Sequence, residues 1–389
     1  MKLKVAILGS TGSIGKSLLN VISKNKDKFL ISLLTSNKNY KMLLKQAIEF
    51  NVKSVVVTDK NSYHASKNIF KKKKIKIYNN FENLKKILPT KIDYVMSSIV
   101  GLDGLVPTYK IIKFTNKIAI ANKETIICAW NIIKNELKKN KTEFIPVDSE
   151  HFSIWYALKN NSTKNIDKLY LTASGGPLLK IPSKKFKNLK ISKIINHPNW
   201  DMGAKISVDS ATMVNKVFEV IEAKKIFNLD YKQVSILTHP KSYIHAIIKF
   251  KDGMINLIAH ETTMEIPIFN TLNTLKKMEI KTKEINLNNL NNLKLSNINT
   301  NKFTNTKILK QLPNKDSLFE TVLVSVNDHL VELFLNKKIT FLELTKKLSK
   351  ILLKREFNKY KFIEPKRIMD ILALNKKIKS KINDYIENK

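Results

Sequence analysis

Short apolar runs and stretches of helical periodicity alternate along the first third of the chain. Residues 3–8 (LKVAIL) read as a buried strand, closed by Gly9-Ser-Thr-Gly12-Ser-Ile-Gly15, and residues 16–24 carry apolar positions at helical spacing. Further strand-like runs fall at residues 31–35, 54–58, 94–97, 118–121 and 144–147, with helical stretches between them. This alternation predicts an α/β fold with a doubly wound parallel sheet. A second α/β unit is expected to follow, with strands at residues 168–172, 234–238, 246–250 and 254–259. Within it, residues 197–219 (HPNWDMGAKISVDSATMVNKVFE) read as a strand-like run and then a helix beginning near Ser210 or Ala211. From residue 271 the periodicity fades into an Asn-, Leu- and Lys-rich tract, which predicts a linker over 271–312. Beyond it Leu323, Val326, Leu330, Val331 and Phe334 recur at helical spacing, as do Ile339, Leu342, Leu344, Leu348 and Ile351. The expected domains are therefore an α/β domain over 1–147, a second over 148–270, the linker, and a small helical bundle over 313–389.

Composition narrows the class. A chain of 389 residues exceeds one ordinary core, and an apolar fraction of 43% is enough to fold several. The net charge of +38 raises the question of a nucleic-acid partner, but Arg355 and Arg367 are the only arginines. Arginine is the usual reader of base edges and the bidentate grip on phosphate. The lysines are spread along the whole chain among many Asn and Ile, the look of an AT-biased genome, and no recognition module is present. A lysine-coated surface with no specific nucleic-acid partner is expected, although polyanions should still bind loosely at low salt. The one cysteine, Cys128, excludes an internal disulfide framework and fits a reducing compartment. No run reaches the roughly 18 apolar residues of a membrane span, and MKLKVAILGS enters strand-like sequence with no leader pattern. The expectation is a cytoplasmic protein with no membrane partner.

The polar positions carry the chemistry. Glycines at 9, 12 and 15, between a strand and a helix, let backbone approach a pyrophosphate at a helix N-terminus. The second strand ends in Ser36-Asn37-Lys38-Asn39 rather than in an acid, which suits the 2′-phosphate of NADP, unless Lys38 is simply one more surface lysine. Asp148 and Glu150 flank Ser149, and in an extended segment both carboxylates would point the same way. Such oxygen ligands suit Mg²⁺ or Mn²⁺ better than zinc. Asn215, Lys216 and Glu219 share one helix face, and Ser210 lies near that helix's start, where a phosphate would meet a hydroxyl, backbone N–H groups and an ammonium. The plainer alternative is an N-cap serine and a surface Lys–Glu pair, and Glu222 is expected to pair with a surface lysine. Ser174-Gly175-Gly176 is an anion-binding loop type, and His197 and Trp200 lie where they could close over a ligand. Lys123 and Glu124 follow a strand at its C-terminal end, where α/β proteins place ligand contacts. His239 and His260 read as structural and His245 as a possible site-lining residue, with no spacing that matches a closed zinc site.

Taken in order, GSTGSIG, ANKE, PVDSEH, SGGP, HPNW and ISVDSATMVNK resemble the 1-deoxy-D-xylulose 5-phosphate reductoisomerase family, densely over residues 3 to about 268. The resemblance implies a Rossmann-type NADPH-binding domain, a central catalytic domain with a mobile flap, a C-terminal helical domain and a homodimer. It implies that Thr11, Gly12, Ser13, Ile14, Asn37, Lys38, Asn39, Asn122, Glu124 and Gly203 contact NADPH. Asp148, Glu150 and Glu219 would bind Mg²⁺ or Mn²⁺, while Lys123 and Ser149 would touch the substrate's polar backbone. Ser174, Ser210, Asn215 and Lys216 would hold its phosphate, His197 and Trp200 would belong to the flap, and Met264 to the site wall. The catalytic set implied is Lys123, Asp148, Glu150, Glu219 and His197, acting on a small phosphorylated substrate. The chain departs from the family's usual residues at Asn37 (Gly), Ala173 (Gly), Leu178 (an aromatic), Asp201 (Ser or Asn), Glu265 (Arg) and Asp328 (Glu). Another NADP oxidoreductase, of homoserine-dehydrogenase type, would not need DSE together with the 215–219 face. A basic nucleic-acid-binding protein would need neither.

Overall fold

Strand β1 (Leu3–Leu8) is apolar because the sheet buries it on both faces: Val5, Ala6, Ile7 and Leu8 have no exposed surface. The computed structural model describes residues 1–200, 202–273, 275 and 278–387; Asp201 therefore lies outside the described residues. Six further strands join β1: β2 (Phe29–Ser36), β3 (Ser54–Val57), β4 (Lys76–Tyr78), β5 (Ile92–Ser97), β6 (Thr115–Ile120) and β7 (Glu143–Pro146). Their order is β4-β3-β2-β1-β5-β6-β7, and every pairing is parallel. The order reverses between β1 and β5, so the crevice beyond their C-terminal ends is a topological switch point, and the loop 9–15 opens into it. The predicted doubly wound sheet is present.

This first unit comprises Met1–Thr125, Ile133–Asp148 and Thr263–Lys281. The helix Glu265–Asn273 belongs to it because Ile268, Phe269 and Leu272 complete the same core as Leu18, Ile22, Val55 and Phe70. In that core Tyr94 Oη and Thr271 Oγ1 are hydrogen-bonded at 2.6 Å, and burial holds the phenol above its ordinary pKa. The unit boundary thus differs from the expected division at residues 270 and 271. A segment distant in sequence supplies core residues, and chain order gives no sign of that.

The second unit comprises Ile126–Ile132, Ser149–Thr262 and Thr282–Lys389. Its sheet contains β8 (Ile166–Ala173), β9 (Val234–Thr238), β10 (Ile244–Phe250), β11 (Ile255–Ala259) and β12 (Ser296–Asn297), in the order β11-β10-β8-β9-β12. Only β8 and β9 run parallel; the other pairs are antiparallel. Ile154 of the helix Ser149–Ala157, and Val220, Ala223 and Phe227 of the helix Val214–Phe227, pack with Leu169, Leu171, Ile236 and Ile248 of the sheet. The helices Phe319–Leu335, Phe341–Leu352 and Ile368–Glu387 form the predicted C-terminal bundle. The expected linker is not an empty connector: β12 pairs with β9, and Phe303 and Ile308 are buried. A few buried apolar residues among many Asn and Lys, Met278 and Leu312 besides these two, suffice to dock a segment whose periodicity is lost. Among the described residues, no helix is long and apolar enough to cross a membrane.

One local expectation is overturned, and one conditional reading loses its condition. Residues 204–211 are a helix (Ala204–Ala211), not a strand-like run, and a second helix follows after Met213 in left-handed conformation (φ 62°). Residue 149 opens a helix, so the alternation of an extended chain does not align Asp148 with Glu150.

Candidate active site

The dinucleotide loop has the backbone such a site requires. Gly9 adopts φ +84°, and a Cβ there would press to 3.0 Å on the Ser98 carbonyl. A Cβ on Gly15 would lie 2.5 Å from the Gly9 oxygen, so this position must be glycine for the helix to close on the loop. Gly12 caps the helix Ser13–Ser23 without a side-chain hydrogen bond, and a helix N-terminus with no capping side chain suits an anion. At the end of β2, Lys38 is exposed, the Asn39 side chain caps the next helix by accepting from Met42 N (3.2 Å), and Asn37 Nδ2 donates to Thr58 Oγ1 (2.9 Å). Asn122 follows β6 and braces the switch point. Its Oδ1 accepts from Thr125 N (2.6 Å), and its Nδ2 donates to the Gly101 carbonyl (2.7 Å) and the Ile99 carbonyl. Glu124 is buried in the first turn of the helix that Asn122 caps. In the same unit the Lys123 ammonium meets Asp148 Oδ2 at 3.1 Å, both largely shielded from solvent.

In the second unit Glu150 and Glu219 converge, with ligand oxygens within 4.8 Å of each other. Glu150 reaches this position from the first turn of the helix Ser149–Ala157, and Glu219 from the second turn of Val214–Phe227. The buried Lys216 ammonium joins them, 2.7 Å from Glu150 Oε1 and in contact with Glu219 Oε2. Asn215 Nδ2 donates to the other Glu219 oxygen, and Ser149 Oγ donates to Glu150 Oε2 at 2.6 Å. Burial works against the Lys216 charge, but the fields of Glu150 and then Glu219, with their hydrogen bonds, outweigh it and hold the ammonium above its ordinary pKa. Lys216 and Glu219 are therefore not the surface pair that their spacing also allowed.

Glu222 is corrected too. It is 2% exposed and faces His151 Nδ1 at 3.8 Å, while His151 Nε2 donates to the Glu219 carbonyl at 2.8 Å. A histidine–glutamate pair thus supports the backbone that carries Glu219. The only trace of it in the sequence was His151 within PVDSEH.

A second cluster forms around Ser174. The turn after β8 takes positive φ at Gly175 and Gly176, and a Cβ on Gly176 would fall 2.9 Å from the Ser210 carbonyl. The glycine therefore lets the 174–176 loop press on Ser210. His197 Nδ1 accepts from Asn199 N (3.2 Å) and Trp200 N (3.1 Å), so the ring's proton sits on Nε2 and is donated to Ser174 Oγ at 3.0 Å. Gly176 N also donates to Ser174 Oγ (3.0 Å), which turns the serine's own proton outward as a donor for an anion. Burial lowers the His197 pKa to about 4, in keeping with the neutral ring that this pattern needs. Asn199 was not singled out in the sequence, yet its Nδ2 ties the segment to Pro240 O (2.7 Å) and Ser242 Oγ (3.0 Å). Gly203 caps the helix Ala204–Ala211, where a side chain would meet nothing within 4 Å. His239 is structural as expected: its Nδ1 donates to Leu293 O and its Nε2 accepts from Tyr243 N.

Comparison with known proteins covers nearly the whole chain. Three family models match: 1-deoxy-D-xylulose 5-phosphate reductoisomerase over residues 5–130, its C-terminal domain over 144–227, and a further DXP reductoisomerase C-terminal domain over 260–381. The 1-deoxy-D-xylulose 5-phosphate reductoisomerase of Pelagibacter ubique is 56% identical over 384 residues, 98% of each chain. That of Clostridium kluyveri is 35% identical over 385 residues, again 98% of each. Among solved structures, a DOX-P reductoisomerase in complex with NADPH, fosmidomycin and magnesium superimposes with a TM-score of 0.91 at 29% identity, covering 99% of this chain and 98% of the other. The Zymomonas mobilis reductoisomerase in complex with NADPH gives a TM-score of 0.87 at 28% identity, with 100% of both chains covered.

Proposed function

The chain belongs to the 1-deoxy-D-xylulose 5-phosphate reductoisomerase family, and from that premise we propose how its own residues divide the family's reaction. The enzyme is an NADP-dependent oxidoreductase that rearranges 1-deoxy-D-xylulose 5-phosphate and reduces the product to 2-C-methyl-D-erythritol 4-phosphate, a step toward isoprenoids. The observation that carries the assignment is the buried Glu150–Lys216–Glu219 cluster in the same unit as Ser174 and Ser210.

The donor set fits a hard divalent cation. Glu150 and Glu219 offer carboxylate oxygens, and the ammonium between them marks where positive charge is required. Asp148, two residues before Glu150, is the third proposed ligand. When bound, Mg²⁺ or Mn²⁺ supplies Lewis-acid polarisation of the substrate's ketone and hydroxyl oxygens. Lys216 then has two tasks that exclude each other, neutralising the two carboxylates or gripping a phosphate. It turns to the phosphate when the carboxylates are otherwise neutralised. Ser174 donates its hydroxyl proton to the same phosphate, joined by Ser210 and Asn215, and neutral His197 keeps Ser174 oriented. Lys123 and Ser149 contact the polar part of the substrate. Gripping a remote phosphate fixes the reacting carbons, and Trp200 with His197 excludes water over them.

The glycine loop fits a dinucleotide. Thr11, Gly12, Ser13 and Ile14 approach its pyrophosphate, Lys38 with Asn37 and Asn39 lies where the 2′-phosphate is expected, Asn122, Glu124 and Gly203 complete the contacts, and Met264 belongs to the site wall. NADPH, when bound, supplies the hydride.

A homodimer and a cytoplasmic location belong to the same proposal. In support, β11 is a sheet edge with Ile255 and Leu257 about half exposed and no charged residue along it, in a chain with 70 lysines and arginines. Lysine is the usual guard of an open edge, and its absence suits pairing with a second copy. The reducing compartment inferred from the lone, buried Cys128 supports the location.

The test is NADPH oxidation followed by absorbance with 1-deoxy-D-xylulose 5-phosphate, with and without Mg²⁺ or Mn²⁺. Turnover that needs both substrate and cation is expected. Folded protein with no metal-dependent turnover would sink the assignment.

A further inference from the structure

We propose that His260 is a positioning residue for the flap, backing a column of three rings (His260, His245 and Trp200) that sets where the Trp200 indole rests. The inference rests on the reading of Trp200 as the cover of the substrate site. The column originates in an irregularity of the sheet. In the antiparallel pair β10 and β11, Ile244 faces Ala259 and Ala246 faces Ile258, so His245 is an extra residue, a bulge. A bulge re-aims its side chain, and such features recur beside active sites.

The re-aimed imidazole is 1% exposed. It lies flat on His260, with ring centroids 3.7 Å apart and planes 16° from parallel. It also meets Trp200 in an edge-to-face contact at 6.0 Å and 68°. Hydrogen bonds lock both imidazoles. His245 Nε2 donates to the His260 carbonyl at 3.2 Å, and His260 Nδ1 donates to the Glu261 carbonyl at 2.7 Å. The backbone of His260 is fixed in turn, its N–H donating to Tyr243 O at 3.1 Å. At the other end, the Trp200 N–H is held by His197 Nδ1. Trp200 is thus gripped through its main chain by the ring that orients Ser174, and through its indole by a stack that ends on His260. An aliphatic side chain at residue 260 would fill volume but would not offer the flat face on which His245 is registered.

Three substitutions separate stacking from bulk: His260→Ala removes the ring, His260→Leu keeps volume without a planar face, and His260→Phe keeps the face. Two readouts are taken. One is the emission of Trp200 and its quenching by acrylamide in the ligand-free chain, with Trp130 and Trp155 replaced by Phe. The other is KM for 1-deoxy-D-xylulose 5-phosphate against kcat in the otherwise wild-type chain. For Ala and Leu, red-shifted and more quenchable emission is expected, with KM raised about two- to tenfold and kcat within about twofold. Phe should restore both. Wild-type emission and KM in His260→Ala would overturn the proposal, as would equal losses in Leu and Phe. Trp200→Leu distinguishes the two layers: if that variant keeps a wild-type KM, the reading of Trp200 as a cover fails, while the emission of the His260 variants still decides the column.

Discussion

At the scale of the residue, Glu219 bears the most. It is 2% exposed, shares Lys216 with Glu150 and accepts from Asn215, so its buried charge is met by an ammonium and an amide of its own helix. Glu219→Gln should lower kcat by about a hundredfold or more while NADPH binding, read by fluorescence titration, stays near wild type; normal turnover in the variant would remove Glu219 from the metal set. His197 gives a pH prediction. Its pKa falls from 6.5 to about 4 because burial disfavours the charged ring. Between those values the unfolded chain binds more protons than the folded one, so this residue's contribution to stability declines as pH falls from 6.5 toward 4. NMR titration of the ring should place its midpoint near 4, and a midpoint near 6.5 would count against the neutral Nε2–H form that holds Ser174. Asn215, Lys216 and Glu219 were legible in the sequence because i,i+3 and i,i+4 spacing alone puts them on one face. Glu222 was not: its burial depends on His151, a residue on another helix, and nothing in its own neighbourhood marks it as internal.

At the scale of the element, the helix Ala204–Ala211 is where local pattern misled. Ile206 and Val208 alternate with Ser207 and Asp209 as in a strand, but four residues fit a period of 2 and one of 3.6 equally well. Tertiary contacts decide. Asn327 Nδ2 of the helix Phe319–Leu335 donates to Asp209 Oδ1 at 2.8 Å, and Lys205 bridges Asp209 Oδ2 (3.2 Å) and Asp328 Oδ1 (3.0 Å). Asp328, one of the departures from the family's usual residues, thus still pairs with Lys205. The C-terminal bundle thereby ties down the helix that presents Ser210. Asn327→Ala should cost about 1–3 kcal/mol, because a buried carboxylate loses a donor. A denaturant midpoint unchanged from wild type would refute that tie. Glu150 makes the same point in reverse. An extended segment was the condition for aligning it with Asp148; it lies instead in the first turn of a helix, and from there reaches Glu219. Glu265 is explained by its partners, Asn20 on the helix Ser13–Ser23 and the C-cap residue Lys24, whose Nζ lies at 3.4 Å.

At the scale of the whole molecule, the proposed homodimer makes β11 the place to intervene. Leu257→Lys puts a guarding charge on the edge, and sedimentation should then report a monomer; an unchanged dimer would put the interface elsewhere. The sequence by itself determined the parallel sheet, the nucleotide loop, the C-terminal helices and the grouping of Asn215, Lys216 and Glu219 on one helix face. Each of these is written in local order: apolar runs of strand length, glycines at fixed offsets, polar groups one helical turn apart. Only the tertiary structure decided which segment completes which core, that Glu222 and His151 lie beneath Glu219, that Lys216 lies between two carboxylates, and that the bulge at His245 stacks it on His260. Those facts depend on burial and on meetings between residues far apart in the chain, and the free energy of such a meeting belongs to both partners and is encoded in neither alone.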